Sequence, residues 1–299
     1  MSVAFLCPGQ GSQQVGMGHD LYERVPAARA VFEQADDLLG LALSTLCFQG
    51  PEDALTDTAN QQPALFVTSV ATWQAMAAQG WPAAAYAAGH SLGEFSALVI
   101  AGSLAFADGL RLVRRRGELM KAAGQRQPGA MAAILALDAV QVEAICAQAQ
   151  ATTGRVVQLA NDNCPGQSVI SGDEVALEEA MKLAQAAGAR KVVRLPITIA
   201  AHSPLMAPAA AEFAAAVTAT PIAAPQIPLI GNVSAQPLTT PAAIRAELAA
   251  QLTGPVRWRE SIHYLLREGV DTFVEVGPGD VLLSLVKRID RQAKRLKFE

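Results

Sequence analysis

AAAYAAGHSLGEFSALVIAG, residues 83–102, is the stretch on which the fold turns. A short apolar run, Ala83 to Ala88, is bounded by Pro82 and Gly89. Leu92 to Ala101 then reads as a helix that ends at Gly102. Alanines are poor strand formers, so residues 83–88 are taken as a strand mainly because of the motif that succeeds them. Gly89-His-Ser-Leu-Gly93 has the form G-x-S-x-G. At a strand-to-helix junction this is a nucleophile elbow. The serine sits on a tight turn, flanking glycines keep side chains from colliding, and the next amide faces a developing oxyanion. A chance match in a chain with 23 glycines is the competing reading.

Working outward, Val3–Cys7 reads as a strand that stops at Pro8-Gly9. Residues 21–46 are rich in Ala and Leu with helical spacing, and Gln62–Met76 is a helix with Pro63 tolerated at its start. A helix over 107–123 is followed by a loop, Gly124 to Gly129. The texture then changes. Strand 130–137, helix 139–149, two short strands around Asn163-Cys-Pro-Gly166, helix 175–187 and strand 190–195 come in turn. That βαββαβ order is the ferredoxin-like pattern, set as a small domain inside a larger α/β one. Beyond it come a strand at 227–230, helices at 242–252 and 262–268, a strand at 272–276, and a Gly277-Pro-Gly279 turn into a last helix.

Composition narrows the function. The 299 residues are 51% hydrophobic, enough for a large core, and the net charge of −4 gives no polyanion-binding character. Aromatics at 5% are too few for base- or sugar-stacking platforms. No apolar run is long enough for a membrane span, and the N-terminus reads as a buried strand and not a signal peptide. Cys7, Cys47, Cys146 and Cys164 have neither CxxC nor metal-ligand spacing, so no metal is expected and a reducing cytoplasm is the simplest setting.

A serine nucleophile needs a base. His90 adjoins Ser91, but strand neighbours point to opposite faces. His19 comes after a Gly-rich loop, and His263 lies in an amphipathic helix where a structural role fits. His202, in Ile199-Ala-Ala-His-Ser-Pro-Leu205, occupies a strand-end loop of the kind where catalytic groups of α/β folds collect. It is the favoured base, with a satisfied buried histidine as the alternative. Arg116 is the other anomaly. Its helical neighbours Leu112, Leu119 and Met120 are apolar, so it interrupts the buried stripe. An internal acid could neutralise it, it could snorkel to the surface, or its head reaches a cleft as a clamp for a carboxylate.

Phe5-Leu-Cys-Pro-Gly-Gln-Gly-Ser-Gln13, Gly89-His-Ser-Leu-Gly-Glu94, Arg116, His202-Ser-Pro-Leu-Met206 and Glu275-Val-Gly-Pro-Gly279, in that order, resemble the malonyl-CoA:acyl carrier protein transacylases. These belong to the acyltransferase family of fatty acid and polyketide synthesis. The resemblance implies an α/β-hydrolase-like large domain, 1–127 and 197–299, around a ferredoxin-like small domain at 128–196. It implies Ser91 as nucleophile and His202 as a base oriented by a backbone carbonyl, with Gln251 close to that histidine. It further implies Arg116 on the malonyl carboxylate, Gln10 and the Leu92 amide as oxyanion hole, and Gln62 and Asn163 lining the site. A coenzyme A thioester and an acyl carrier protein are the implied partners of a cytoplasmic monomer needing no cofactor.

Carrier proteins are acidic, so a basic docking face is expected, either Arg111, Arg114 and Arg115 or the tail with Lys287, Arg288, Arg291, Lys294, Arg295 and Lys297. For the tail, a solvated helix end is the competing reading. One departure concerns selectivity. Malonyl-selective polyketide-type members carry a bulky aromatic just before the histidine, whereas here Ala200 and Ala201 leave room for branched extender units. The other readings are a stand-alone polyketide acyltransferase, the malonyl-loading subunit of a malonate decarboxylase, an acyl-thioester hydrolase, and a carrier-protein-binding module without turnover.

Overall fold

The computed structural model describes residues 2–298. The chain opens with β1 (Val3–Cys7) and passes through α1 (His19–Arg24), α2 (Pro26–Leu39), α3 (Leu43–Gln49), α4 (Glu52–Thr56) and the long α5 (Thr58–Ala78). Then come β2 (Tyr86–Gly89), α6 (Gly93–Ile100) and α7 (Phe106–Arg126). β3 (Ala130–Leu135), α8 (Ala139–Thr153), β4 (Val157–Cys164), β5 (Gln167–Gly172), α9 (Glu174–Ala186) and β6 (Lys191–Arg194) form the middle of the chain. A 3-10 turn at Pro204–Met206 leads into α10 (Ala207–Ala219), β7 (Leu229–Ile230) and β8 (Pro237–Leu238). The chain closes with α11 (Pro241–Ala250), α12 (Trp258–Arg267), β9 (Thr272–Glu275), α13 (Val281–Ile289) and β10 (Lys294–Lys297).

Two sheets result. The larger has the order β10-β9-β1-β2-β7-β8, with every pairing parallel except β7–β8. β1 lies at its centre and is buried along its whole length, as a strand covered on both faces must be. The smaller sheet, β4-β5-β3-β6, is antiparallel and packs α8 and α9 over its own core of Ile134, Val142, Val157, Ile170 and Leu177. This is the expected architecture: an α/β-hydrolase-like sheet with a ferredoxin-like βαββαβ unit inserted. Among the described residues no helix is long and apolar enough to cross a membrane.

Several elements differ from the sequence reading. Pro63 lies inside α5 and not at its start. A proline there leaves the carbonyl four residues back without its amide donor. That carbonyl belongs to Ala59, and Arg114 Nη1 donates to it at 3.1 Å. Helix α7 runs on to Arg126, into the first half of the expected loop. Within it Gly124 marks a close approach and not a helix end, since an added Cβ would stand only 2.8 Å from Ile199 Cγ1. The helix-rich stretch 21–46 is broken at Val25 and at Gly40, the latter in the left-handed conformation that closes α2. In the basic tail, Lys294–Lys297 is not a solvated helix end but an edge strand paired parallel to β9.

Candidate active site

The site grows from the turn between β2 and α6. Ser91 has φ 50°, the left-handed conformation of an elbow. Both glycines around it are required by close approach. A Cβ on Gly89 would stand 2.0 Å from the Gly93 carbonyl carbon, and one on Gly93 would stand 2.0 Å from the Cys7 carbonyl oxygen. The bend therefore fits only because β1, β2 and the start of α6 touch backbone to backbone. The Ser91 amide donates to Asn232 Oδ1 at 2.7 Å, and Asn232 Nδ2 donates to the Gly89 carbonyl at 2.7 Å. The next amide, Leu92, has no protein acceptor among the described residues.

Ser91 Oγ lies 2.8 Å from His202 Nε2. His202 Nδ1 lies 2.9 Å from the Gln251 carbonyl and 3.0 Å from the Gly254 carbonyl. Two carbonyls can only accept, so Nδ1 carries the proton and Nε2 is the acceptor for the serine hydroxyl. Burial, and then the nearby Arg116 cation, lower the His202 pKa to about 3, so the imidazole is neutral near pH 7.

Arg116 is 1% exposed and does not snorkel. Gly117 lets α7 approach α5 closely, since a Cβ there would stand 2.6 Å from the Thr58 carbonyl oxygen. The guanidinium donates from Nε to Gln251 Oε1 at 3.1 Å, from Nη1 to Gln62 Oε1 at 2.9 Å and from Nη2 to Ser91 Oγ at 3.1 Å. Of its five N–H groups, one on each terminal nitrogen has no protein acceptor among the described residues. Burial lowers its pKa to about 10, and Glu94 opposes that shift, so it stays charged near neutral pH. Met120 Sδ accepts from Gln62 Nε2 at 3.2 Å, which turns the Gln62 oxygen toward the arginine. Gln251 Nε2 donates to the Ser91 carbonyl at 3.0 Å and to Glu94 Oε2, so its oxygen likewise faces Arg116. Burial, reinforced by Glu247, raises the Glu94 carboxyl to about 8.

Ser91 and His202 open onto a cavity of about 480 Å³ between the two sheets, lined also by Gln10, Gln61, Asn163, Met131 and Ala201. Asn163 is in the lining as expected, with its Oδ1 2.8 Å from His90 Nε2. His90 lines the cavity too and is engaged there, while His19 and His263 are exposed. Ala200 is buried behind the wall. The three arginines of the expected docking face are paired: Arg111 with Asp108, Arg114 with Glu118 and Arg115 with Glu212. Asn232 and Glu94 were missed by sequence reasoning. The signal for Asn232 was its position just past strand β7, at the strand ends where α/β sites assemble.

A hydroxyl hydrogen-bonded to a neutral imidazole beside a buried cation can form and hold an ester of an anionic acyl group. Known proteins agree with that chemistry. The chain is 47% identical over 294 residues to a malonyl CoA-acyl carrier protein transacylase of Bacillus subtilis, covering 98% of this chain and 92% of that protein. A solved malonyl CoA-acyl carrier protein transacylase from Coxiella burnetii superposes with a TM-score of 0.96 at 41% identity, covering 99% of this chain and 93% of that one. A malonyl-transacylase solved in complex with a type II PKS acyl-carrier protein also gives 0.96, at 39% identity over 100% of this chain and 96% of that one. The family described as the acyl transferase domain matches residues 4–298. On that match and these identities, the chain belongs to the acyl transferase domain family.

Proposed function

We propose that this protein transfers a malonyl group from coenzyme A to the phosphopantetheine thiol of an acyl carrier protein, through an ester on Ser91. The observation that carries the reading is the Arg116 guanidinium, buried and 3.1 Å from Ser91 Oγ. A buried cation is costly unless it is paired, and two of its N–H groups suit one carboxylate. An acyl group ending in a carboxylate is the substrate that uses both halves of the site.

In the first half-reaction Ser91 Oγ attacks the thioester carbon as His202 Nε2 takes its proton. The tetrahedral oxyanion rests on the Leu92 amide and on Gln10. Collapse breaks the C–S bond, and the proton on Nε2 goes to the departing coenzyme A sulfur. In the second half-reaction His202 takes the proton of the incoming phosphopantetheine thiol. Its sulfur attacks the ester, and Ser91 Oγ recovers the proton. Gln62 and Gln251 hold the guanidinium so that the bound carboxylate fixes the ester carbonyl against the oxyanion hole. Asn163 holds His90 in the cavity wall. No metal or cofactor takes part in this scheme.

The small domain, taken as residues 128–196, forms one wall of the cavity, and residues 1–127 with 197–299 carry the catalytic groups. The acyl carrier protein is the acceptor, the coenzyme A thioester the donor, and a cytoplasmic monomer the working form. Lys287, Arg291, Lys294 and Lys297 are exposed beside β10 and form the cationic face offered to an acidic carrier. A second reading, a broader extender unit as in polyketide-type members, is favoured by Ala201 in the cavity wall.

The test is intact-mass detection of the Ser91 adduct with a panel of acyl-CoAs. Wild type is expected to take malonyl in preference to acetyl, and Arg116→Ala to lose malonyl loading at least tenfold more than acetyl loading. Equal losses on both would overturn the clamp. Methylmalonyl loading near the malonyl rate would establish the broader selectivity. Addition of carrier protein then separates transfer from hydrolysis.

A further inference from the structure

The catalytic histidine is held by a single turn. Residues 251–254 come directly after α11, and all four of their carbonyls are engaged by His202 or by one other side chain. Gln251 O and Gly254 O face Nδ1 at 2.9 and 3.0 Å, and Leu252 O accepts from the His202 amide at 2.9 Å. The fourth, Thr253 O, accepts from Gln158 Nε2 at 3.0 Å. The same nitrogen donates to the carbonyl of His202 itself at 2.7 Å. Both hydrogens of one amide group thus tie the histidine to the turn that fixes its ring.

Gln158 does not belong to the catalytic sheet. It lies on β4, an edge strand of the small sheet, where it pairs with Ser171 of β5. The strand runs against the same turn further on. Val256 N donates to Ala160 O at 2.8 Å and Asp162 N to Val256 O at 3.0 Å, an isolated parallel bridge between β4 and the segment that leads from the turn to α12. Asp162 and Arg259 of α12 add an ion pair at 2.9 Å. The titratable groups bearing on His202 lie elsewhere: the Arg116 cation on α7, and His90, just past β2, whose own proton affinity is lowered by burial.

Resting on the reading of Ser91 and His202 as nucleophile and base, we propose that Gln158 is a positioning residue through which the small domain sets the orientation of His202. The edge strand is a splint. Without the amide, the His202 carbonyl and Thr253 carbonyl lose their shared donor, and the turn no longer holds the Nδ1–H tautomer that leaves Nε2 free for Ser91. Second-layer contacts of this kind are worth about 10- to 100-fold at metal-bound histidines, and a small displacement of reacting groups costs comparably.

Single-turnover acylation of Ser91 by malonyl-CoA, followed across pH in the full-length enzyme, tests this. Two variants remove the donor while keeping the length: Gln158→Met, and Gln158→Glu, whose carboxylate only accepts. Both are expected to lower the acylation rate about tenfold, with KM within about twofold; in Gln158→Met the acid limb of the profile is expected to move down, because the Gln251 and Gly254 carbonyls on Nδ1 raise the proton affinity of His202. Arg259→Ala removes a contact between the same elements that does not touch His202. It is expected to lower Tm without moving the limb. Unchanged rate and profile in both Gln158 variants, or the same loss in Arg259→Ala as in them, would overturn the proposal. Wild-type enzyme that takes no malonyl group would overturn the reading beneath it, and the proposal with it.

Discussion

Ser91 holds a left-handed backbone conformation that costs an ordinary residue about 1 kcal/mol or more, and its neighbours hold it there. Asn232 is the chief of them, since it takes the Ser91 amide and, in the proposed mechanism, leaves that of Leu92 for the oxyanion. Asn232→Ala should therefore leave a buried amide and carbonyl unpaired, costing about 1–3 kcal/mol, and should slow acylation more than it weakens substrate binding. Chemical denaturation and single-turnover kinetics measure the two effects. His202 makes a prediction with a sign. Its proton affinity in the folded state is depressed to about 3 from an ordinary value near 6.5. The unfolded chain thus takes this proton first, and the contribution of His202 to stability is present above about 6.5 and lost as pH falls toward 3. His202→Gln removes the titrating group, so its Tm relative to wild type should rise between pH 7.5 and pH 4.5. Glu94 and Glu275, whose carboxyls are raised to about 8 and about 7, are common to both proteins and cancel in that comparison.

Among the elements, α5 and α7 decide where the arginine goes. They cross so tightly at Gly117 that a larger residue would push α7 off the Thr58 carbonyl. Gly117→Val should displace Arg116 from Gln62 and lower malonyl loading while acetyl loading changes less, as read by adduct mass. The same pair of helices carries the proline repair. Arg114 supplies the Ala59 carbonyl with the donor that Pro63 cannot. Arg114→Ala should cost about 1–3 kcal/mol in wild type and markedly less in a Pro63→Ala background, where the amide returns. A double-mutant cycle by urea denaturation gives the coupling. This explains why sequence reasoning placed Pro63 at a helix start: the compensating donor lies 51 positions away and has no local signal. Arg116 was legible for the opposite reason, because a charge inside an apolar stripe is itself a local signal. Ser91, His202 and Gln251 were carried by motif. Asn232 and Gln158 act through long-range hydrogen bonds that no spacing rule exposes.

For the whole molecule, the alternation of strands and helices from Ala130 to Arg194 was readable, since each element carries its own period. The tail was not, because Lys294-Arg-Leu-Lys297 has the composition of a solvated end. Its strand character comes from β9 beside it. Charge at a sheet edge also discourages pairing with other chains. Removing residues 291–299 should expose the edge of β9 and uncover Trp81, against whose ring Phe298 stacks edge-on at 5.5 Å. Lower Tm and increased light scattering on heating are the expected outcome.

The two unclaimed N–H groups of Arg116 bear on how the protein is handled at the bench. Arg116 stands behind Ser91 and not in the cavity lining itself, so a small anion that enters past Ser91 is expected to compete for them, whether or not it carries a thioester. Citrate or free malonate in a storage solution should act as a reversible inhibitor, relieved by dialysis and rivalled only by the natural donor. Activities compared between preparations are comparable only when the counter-ions match.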